Sequence, residues 1–204
     1  MRIHHITLGI AVLLLTGLVS TATAGDQHRN ENKAETKALP WRAELSGSFI
    51  NTQSDTNKDG NKGGTNDGGF KSTLGSGTFQ GVDEFAPSGT GTCPNGNPGF
   101  MATLLPGTGH GVYRFDSTGD LLFNEFSATI CFDPITTIQF YSGTENFTGG
   151  TGRFTGATGS TKVSGTAKTL FSDADGNFFG EASVTSEGTI IVPANGGHGP
   201  DTEN

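Results

Sequence analysis

Three ionisable side chains near the middle of the chain are of the types that transfer protons. Glu125 stands in the segment "LLFNEFSATICF", residues 121–132, while Arg114 precedes this segment and Tyr141 follows it. The segment alternates with period two, which predicts a strand, but both of its faces are apolar. Glu125 shares one face with Leu121, Phe123 and Cys131, and the opposite face carries Leu122, Phe126, Ile130 and Phe132.

The pattern leaves open which of these two faces lies inside the protein. If the Glu125 face is interior, its carboxylate could act as a general acid or base beside Tyr141 or Arg114. The alternative is a glutamate at the rim or on the surface, because acids are seldom fully buried without a partner. No G-x-S-x-G motif accompanies these residues, so nothing in the sequence supports a serine hydrolase.

The segment "DTNKDGN" carries oxygen-bearing side chains at the spacing of the first half of a calcium-binding loop. The candidate ligands are Asp55, Asn57, Asp59 and Asn61. Gly60 suits the sharp turn of such a loop, but its twelfth position is Asn66 rather than the usual glutamate. Calcium is therefore the one cofactor that the sequence suggests. The alternative is a polar linker loop without a metal.

The segment "GGTGRFTGATGS", Gly149–Ser160, has the composition of a phosphate-binding loop but the wrong spacing. Thr155 takes the place of the third glycine in a dinucleotide-binding turn, and no lysine follows as it does in a P-loop. The next residues alternate with period two, so no helix N-terminus follows that could hold an anion. We expect instead a chain reversal with glycines at positive φ, which directs Phe154 into the core.

The first residues of the chain have the three parts of a secretory signal peptide. Arg2 precedes an apolar run, Ile6–Ser20, and Ala22-Thr23-Ala24 provides a cleavage site of small residues. We expect residues 1–24 to be removed and the protein to be secreted or periplasmic. The apolar run is shorter than the roughly 20 residues of a spanning helix, so no membrane attachment is expected after cleavage.

Cys93 and Cys131 remain after cleavage, and in an exported protein such a pair most simply forms a disulfide. A metal pair or a reactive thiol has no supporting cluster of histidines or acids nearby. The chain-entropy model gives such a bond about 4 kcal/mol of stabilisation. The net charge of -8 and the lack of basic patches make nucleic acid an unlikely partner.

Composition and strand spacing indicate an all-β protein. The chain has 33 Gly and 15 Phe in 204 residues, and about eight short strand candidates alternate with turn signals. We predict one domain over residues 41–193. A flexible segment, 25–40, would precede it and a disordered tail, 194–204, would follow it. Within the domain, residues 54–69 have the composition of a loop, and no amphipathic helix is expected.

The segment "GGTGRFTGATGS", preceded by "YSGTENF" and followed by an alternating strand, resembles the allene oxide cyclase/dirigent-like β-barrel superfamily, including its bacterial secreted members. The resemblance covers Thr144 to about Gly165. It implies a single antiparallel barrel of about eight strands, an interior that can hold an apolar ligand, and a possible homo-oligomer. Plant cyclases of this kind isomerise a fatty-acid epoxide, and dirigent proteins steer the coupling of phenoxy radicals.

Three functions are consistent with these observations. The first is a secreted barrel that binds a small apolar ligand, or serves as an interaction module, without catalysis of its own. The second is a cofactor-free cyclase, isomerase or dirigent-like protein that uses the barrel cavity. The third is a calcium-stabilised extracellular structural protein. The sequence favours the first function, because no clear catalytic constellation accompanies the barrel pattern.

Overall fold

The computed structural model describes residues 35–53, 55 and 59–194. In this part of the chain the structure has nine strands and one short 3₁₀ helix, Gly152–Phe154. The strands are β1 (Thr36–Asn51), β2 (Lys62–Ser72), β3 (Gly75–Thr92), β4 (Pro98–Leu104), β5 (Gly109–Phe115), β6 (Leu121–Asp133), β7 (Ile138–Gly150), β8 (Thr158–Ser172) and β9 (Phe178–Pro193).

All nine strands belong to one antiparallel sheet that closes on itself. Strands that follow one another along the chain pair with each other, except β4 and β5, which both pair with β3 and β6. The ring closes where β1 pairs with β9 over sixteen residues, from Thr36↔Pro193 to Asn51↔Phe178. A sheet closed in this way is a β-barrel and leaves no free edge along its strands. The all-β barrel predicted from the sequence is confirmed.

The nine strands occupy eight positions in the ring, because β4 and β5 share one position. β4 pairs with the second half of β3, and β5 pairs with the first half of the same strand. Both also pair with β6, each with its own half of that strand. Residues 105–108 thus connect two short strands that lie end to end in one position of the ring. The barrel therefore has eight strand positions, in agreement with the prediction of about eight strands.

Alternation along the strands decides which side chains lie inside the barrel. From Leu122 to Ile130 on β6 the buried side chains are Leu122, Asn124, Ala128 and Ile130, while Glu125 and Thr129 between them are exposed. Successive side chains of a strand point to opposite faces, so the even-numbered residues of this strand line the interior. The face that the sequence left undecided is therefore the one that carries Leu122.

The barrel begins earlier and contains more strand than the sequence predicted. Thr36–Pro40 was assigned to a flexible segment, but these residues pair with the end of β9 and Leu39 packs against the core. β2 starts at Lys62, inside the predicted loop 54–69. Its sequence, "KGGTNDGGFKS", has few apolar residues, and its extended form is imposed by pairing with β1 on one side and β3 on the other.

The segment Gly149–Ser160 closes one end of the barrel. The chain reverses here through glycines at positive φ, including Gly149 and Gly152, as the sequence predicted. Phe154 is almost completely buried, and its ring packs against that of Phe115. The Arg153 guanidinium lies over both rings at 4.7 Å. The 3₁₀ helix therefore acts as a plug on a densely aromatic core.

This core fills the plugged end of the barrel. Trp41 makes edge-to-face contacts with Tyr113 and Phe147, and Phe70 makes the same kind of contact with Tyr113 and Phe115. Such edge-to-face pairs contribute about 0.5–1.5 kcal/mol beyond area burial. The plugged end of the barrel is therefore filled by side chains, and any internal cavity must lie nearer the middle of the barrel.

Cys93 and Cys131 form a disulfide that ties the residue after β3 to β6, and their Cα atoms are 5.5 Å apart. The predicted disulfide is confirmed. Residues 1–34 and 195–204 lie outside the described residues, and with them the predicted signal peptide and most of the predicted tail. No helix in the described part of the chain is long and apolar enough to cross a membrane.

Next to the disulfide, the buried Asp133 carboxylate holds two loops together. It accepts hydrogen bonds from the side-chain amides of Asn95, at 2.7 Å, and Asn97, at 2.9 Å. On its own turn it accepts from the Thr136 hydroxyl at 2.6 Å and from the Ile135 backbone N–H at 2.8 Å. These donors stabilise the ionised form and hold the pKa of Asp133 well below its usual value.

We predict that the Asp133 carboxylate makes the barrel sensitive to acid. Because its pKa is lower in the folded than in the unfolded state, its stabilising contribution is present above the usual pKa of about 3.8 and is lost as the pH falls below it. Asp133→Asn should lower the stability at neutral pH and reduce this acid-dependent loss. Urea unfolding over a pH series measures both effects.

The exposed Asp116, changed to Asn, is the matched control and should leave the profile unchanged. An Asp133→Asn variant with the wild-type pH profile would contradict the role assigned to this carboxylate.

Candidate functional site

A cavity of about 130 Å³ lies inside the barrel, next to the aromatic core. Most of its wall is apolar, with side chains from seven strands that include Leu45, Phe79, Leu104, Val163 and Val184. Its polar lining includes Asp83, Tyr113, Asn124, Tyr141 and Glu145. A mostly apolar concave space with a few convergent polar groups is the usual form of a small-molecule site.

Glu145, on β7, stands at the centre of a buried hydrogen-bond network. Its Oε1 accepts hydrogen bonds from the Tyr113 hydroxyl at 2.7 Å and from the Asn124 amide at 2.6 Å. Its Oε2 lies 2.7 Å from the Ser186 hydroxyl and 3.0 Å from the Thr161 hydroxyl. The carboxyl group of Glu145 thus joins β7 to four other strands, namely β5, β6, β8 and β9. Through Tyr113 it is also linked to the aromatic core.

The environment of Glu145 disfavours its ionised form. Burial raises the pKa of Glu145 above its usual value, although its four hydrogen bonds partly oppose this effect. No Lys, Arg or His side chain is among the residues that line the cavity. Tyr113 has its pKa raised as well, first by burial and then by the nearby Glu145. The carboxyl group of Glu145 is therefore held by hydrogen bonds from neutral groups, and no cationic side chain of the cavity lining pairs with it.

Asn124 carries a polar atom that the network does not satisfy. Its side-chain N–H₂ donates to Glu145, while its Oδ1 is buried and has no hydrogen-bond partner among the described residues. The amide lies over Gly111, where an added Cβ would come within 2.5 Å of this oxygen. Gly111 thus leaves the room that the Asn124 amide needs on the cavity wall, and the buried oxygen of this amide stays without a donor.

Asp83, on β3, is the second acidic side chain in the cavity. Burial raises its pKa to about 6. No hydrogen bond or ion pair joins its carboxylate to another of the described side chains. Its charge and, above all, burial raise the pKa of Tyr141, whose hydroxyl donates to Gln139 at 2.7 Å. Asp83 is therefore a mostly buried, unpaired acid that titrates near neutral pH.

A second cavity, of about 160 Å³, lies nearer the end of the barrel opposite the plug. Phenylalanine rings from four strands line this outer cavity, namely Phe85, Phe100, Phe132 and Phe178. Gln139, the partner of Tyr141, is also part of its wall. From the plugged end to the opposite end, the interior therefore consists of the packed core, the polar network, the inner cavity and the outer cavity. The outer cavity with its four phenylalanine rings is called the aromatic mouth.

The structure does not bring the three predicted catalytic residues together. Tyr141 faces the inner cavity, but Glu125 and Arg114 are exposed on the outside of the barrel. The reason is the strand period, since each is one residue out of phase with an inward neighbour, Asn124 or Tyr113. Glu125 therefore cannot act in the cavity, and the surface position considered as its alternative is the one observed.

The predicted calcium loop is described only in part. Asn57 lies outside the described residues, and the Asp55 carboxylate accepts hydrogen bonds from the backbone N–H groups of Asp59 and Gly60. The Asp59 carboxylate in turn accepts from the backbone of Asn61 at 2.9 Å. Within the described part of the chain no group of three or more acidic, histidine or cysteine side chains is arranged to hold a metal. Calcium binding here stays a prediction.

The two acidic residues of the cavity, Asp83 and Glu145, were missed by reasoning from the sequence, although the sequence contains a signal for each. Asp83 is in phase with Phe79 and Phe85 in "FQGVDEF", and Glu145 is in phase with Tyr141 and Phe147 in "YSGTENF". An acid in phase with aromatic residues on a strand points to the interior. This signal becomes decisive only when the inward face of the strand is known.

Comparisons with known proteins add little to this picture. No protein-family model matches the chain, and no curated protein matches it. Among solved structures, the chain is similar to a pterocarpan synthase dirigent protein, with 14% sequence identity and a TM-score of 0.21. The match covers 76% of this chain and 86% of that protein. The barrel described above rests on the strand pairing of this chain alone.

We predict that the Glu145 network responds to substitution according to whether its donors keep an acceptor. Glu145→Leu leaves the buried hydroxyl of Tyr113 and the amide of Asn124 without a partner, and should destabilise the barrel by about 2–5 kcal/mol. Glu145→Gln keeps an oxygen for these two donors, and its amide can donate to the two hydroxyls at the other oxygen. It should therefore remain close to the wild type.

Stability measured by urea unfolding against pH tests the assignment further. A raised folded-state pKa means that wild-type stability is full below the usual value of 4.5 and declines as the pH rises through the folded-state pKa. Glu145→Gln should lose this part of the pH dependence. Equal destabilisation by Leu and Gln at every pH would contradict the network as described.

Proposed function

We propose that the barrel binds a small apolar molecule, about as large as a single aromatic ring, in the inner cavity. The observation that carries this proposal is the cavity itself, an unfilled volume of about 130 Å³ in a barrel whose plugged end is packed with aromatic side chains. A cavity of about 150 Å³ with apolar walls is large enough to hold benzene. The size of the space therefore limits the ligand to a small one.

The character of the walls supports an apolar ligand with a polar substituent. A molecule enclosed by Leu45, Phe79 and Val184 gains about 25 cal/mol for each Å² of apolar surface that leaves water. The carboxylate of Asp83 offers a hydrogen bond to such a substituent.

We also infer that the protein works outside the cytoplasm. The Cys93–Cys131 disulfide supports this inference, because such bonds persist in oxidising compartments. The signal-peptide pattern of residues 1–24 agrees with it. Assembly into a homo-oligomer stays a proposal that rests on the resemblance of the sequence.

Ligand binding is tested by replacing a small residue of the cavity wall with a larger one that occupies part of the cavity. Ala128 is buried on the cavity wall, whereas its neighbour Thr129 is exposed on the outside of the same strand. Ala128→Leu should occupy part of the space and weaken the binding of toluene or benzyl alcohol by about tenfold or more. Thr129→Leu adds a leucine to the outer face and should leave the affinity unchanged.

Chemical-shift titration of the labelled protein measures both affinities and shows whether each variant is folded. The proposal fails if neither probe binds the wild type, or if Ala128→Leu and Thr129→Leu bind the probes as well as the wild type does.

A second candidate function is acid–base catalysis by a cofactor-free isomerase, cyclase or dirigent-like protein. The observation that favours it is Asp83, whose pKa of about 6 lets an unpaired carboxylate act as a general base near neutral pH. Tyr141 lies close enough for the two groups to influence each other electrostatically. A base that is desolvated in an apolar cavity is the arrangement that proton abstraction from carbon requires.

A benzisoxazole tests this candidate without knowledge of the natural substrate. Its ring opens when a base removes the ring C–H proton as the N–O bond breaks, and the fused ring is close to the size limit of the inner cavity. The rate should rise with pH through about 6 and fall by about a hundredfold in Asp83→Asn. The exposed Glu125, changed to Gln, serves as the control, and equal rates in all three proteins would exclude Asp83 as a base.

A further inference from the structure

The polar groups of the inner cavity are unequally distributed between donors and acceptors. The cavity wall contains the carboxyl groups of Asp83 and Glu145, and none of its residues is Lys, Arg or His. Both tyrosine hydroxyls have their protons engaged, that of Tyr113 with Glu145 and that of Tyr141 with Gln139. Apart from the side-chain amides of Asn66 and Gln80, what the wall still offers to a ligand is acceptor capacity, and it offers no cation.

Two of these acceptors have no partner among the described residues. The Asp83 carboxylate makes no hydrogen bond or ion pair there. Asn124, which is 6% exposed, has its Oδ1 buried and unsatisfied. Buried acceptors without donors cost about 1–3 kcal/mol each, and an unpaired buried charge costs more. A ligand in the cavity that donates to the Asp83 carboxylate would relieve the more costly of the two.

Glu145 does not compete with Asp83 for the charge of a ligand. Its four hydrogen-bond partners already occupy both of its oxygens, as described above. Asp83 is the carboxylate that remains available, and it is in phase with Phe79 on the inward face of β3. Aromatic rings of Phe79, Tyr113, Phe126 and Tyr141 also line the space, and their faces attract cations.

We propose that the ligand of the inner cavity is a small amine, an aromatic or alkyl ring bearing a primary ammonium group, with Asp83 as its counter-ion. The inference rests on the proposed binding function and adds the charge class of the ligand to it. The ring occupies the apolar wall around Leu45 and Val184, while the ammonium group donates to the Asp83 carboxylate.

The same arrangement excludes anions from the cavity. A carboxylate ligand would meet two acidic side chains without a cation to compensate, and like charges in a desolvated space repel strongly. It would also leave the acceptor on Asn124 unsatisfied. The structure thus predicts selection among molecules of equal size by charge alone, which apolar contacts cannot provide.

Three probes of nearly equal size test the inference in the wild-type protein. Benzylamine is cationic at neutral pH, benzyl alcohol is a neutral donor and benzoate is an anion, and each has one ring. Titration calorimetry should give benzylamine an affinity at least about tenfold higher than benzyl alcohol, and should detect no binding of benzoate.

Variants then locate the source of the selectivity. Asp83→Asn keeps the size of the side chain and removes its charge, so it should lose the preference for benzylamine while it retains benzyl alcohol. Glu125→Gln removes one negative charge from the outer surface and should keep the full preference. Thermal melting of each variant verifies that it is folded. The comparison of the three probes in the wild-type protein tests the inference even if a variant fails to fold.

The possible results distinguish recognition of an amine from the more general proposal that the inner cavity binds a ligand. If benzyl alcohol binds as tightly as benzylamine, or if benzoate binds as well, recognition of an amine is overturned and ligand binding stands. If Asp83→Asn keeps the preference for benzylamine, Asp83 is not the counter-ion and the inference is overturned. If none of the three probes binds, both the inference and the proposed function fail.

Discussion

The hydrogen-bonded pairing of β1 with β9 is the interaction on which the rest of the structure depends. These two strands lie at opposite ends of the described chain, and their pairing over sixteen residues turns a meander of strands into a closed ring. Without it, two long strand edges would be open to solvent and the inward side chains would face water on one side. The interior exists as a separate environment only because this contact forms.

Closure also sets what the interior must contain. A barrel of eight staves encloses a space that side chains can just fill, and the plugged end is filled by residues such as Trp41, Phe115 and Phe154. In the middle, small residues replace large ones, with Gly111 and Ala128 on the wall. The Glu145 network separates these two regions, and its hydrogen bonds fix the position of side chains from five strands next to the cavity.

The fold could be read from the sequence because the signals for strands and turns are local. Alternation in "LLFNEFSATICF" and the glycines of "GGTGRFTGATGS" predicted β6 and the reversal after β7, and the structure confirms both. β2 escaped prediction because its sequence is typical of a loop, and only its two neighbours make it a strand. The acidic residues of the cavity could not be predicted from the sequence for a related reason. Whether Asn124 or Glu125 faces inward depends on a register that closure of the ring decides.

The composition of the cavity wall argues that its polar residues are retained for a reason other than stability. The same chain packs aromatic side chains closely a few residues away, so the fold has the means to fill space with apolar groups. A leucine in place of Asp83 would remove an unpaired carboxylate from a mostly buried position, and a larger residue at Gly111 would displace the amide of Asn124. Sites that break the rules of packing and polar satisfaction without a structural gain are usually sites of function. In this barrel they meet in one cavity, on the strands between the plug and the aromatic mouth, and an enclosed acceptor that finds no donor in the protein is complementary to a donor that comes from outside it.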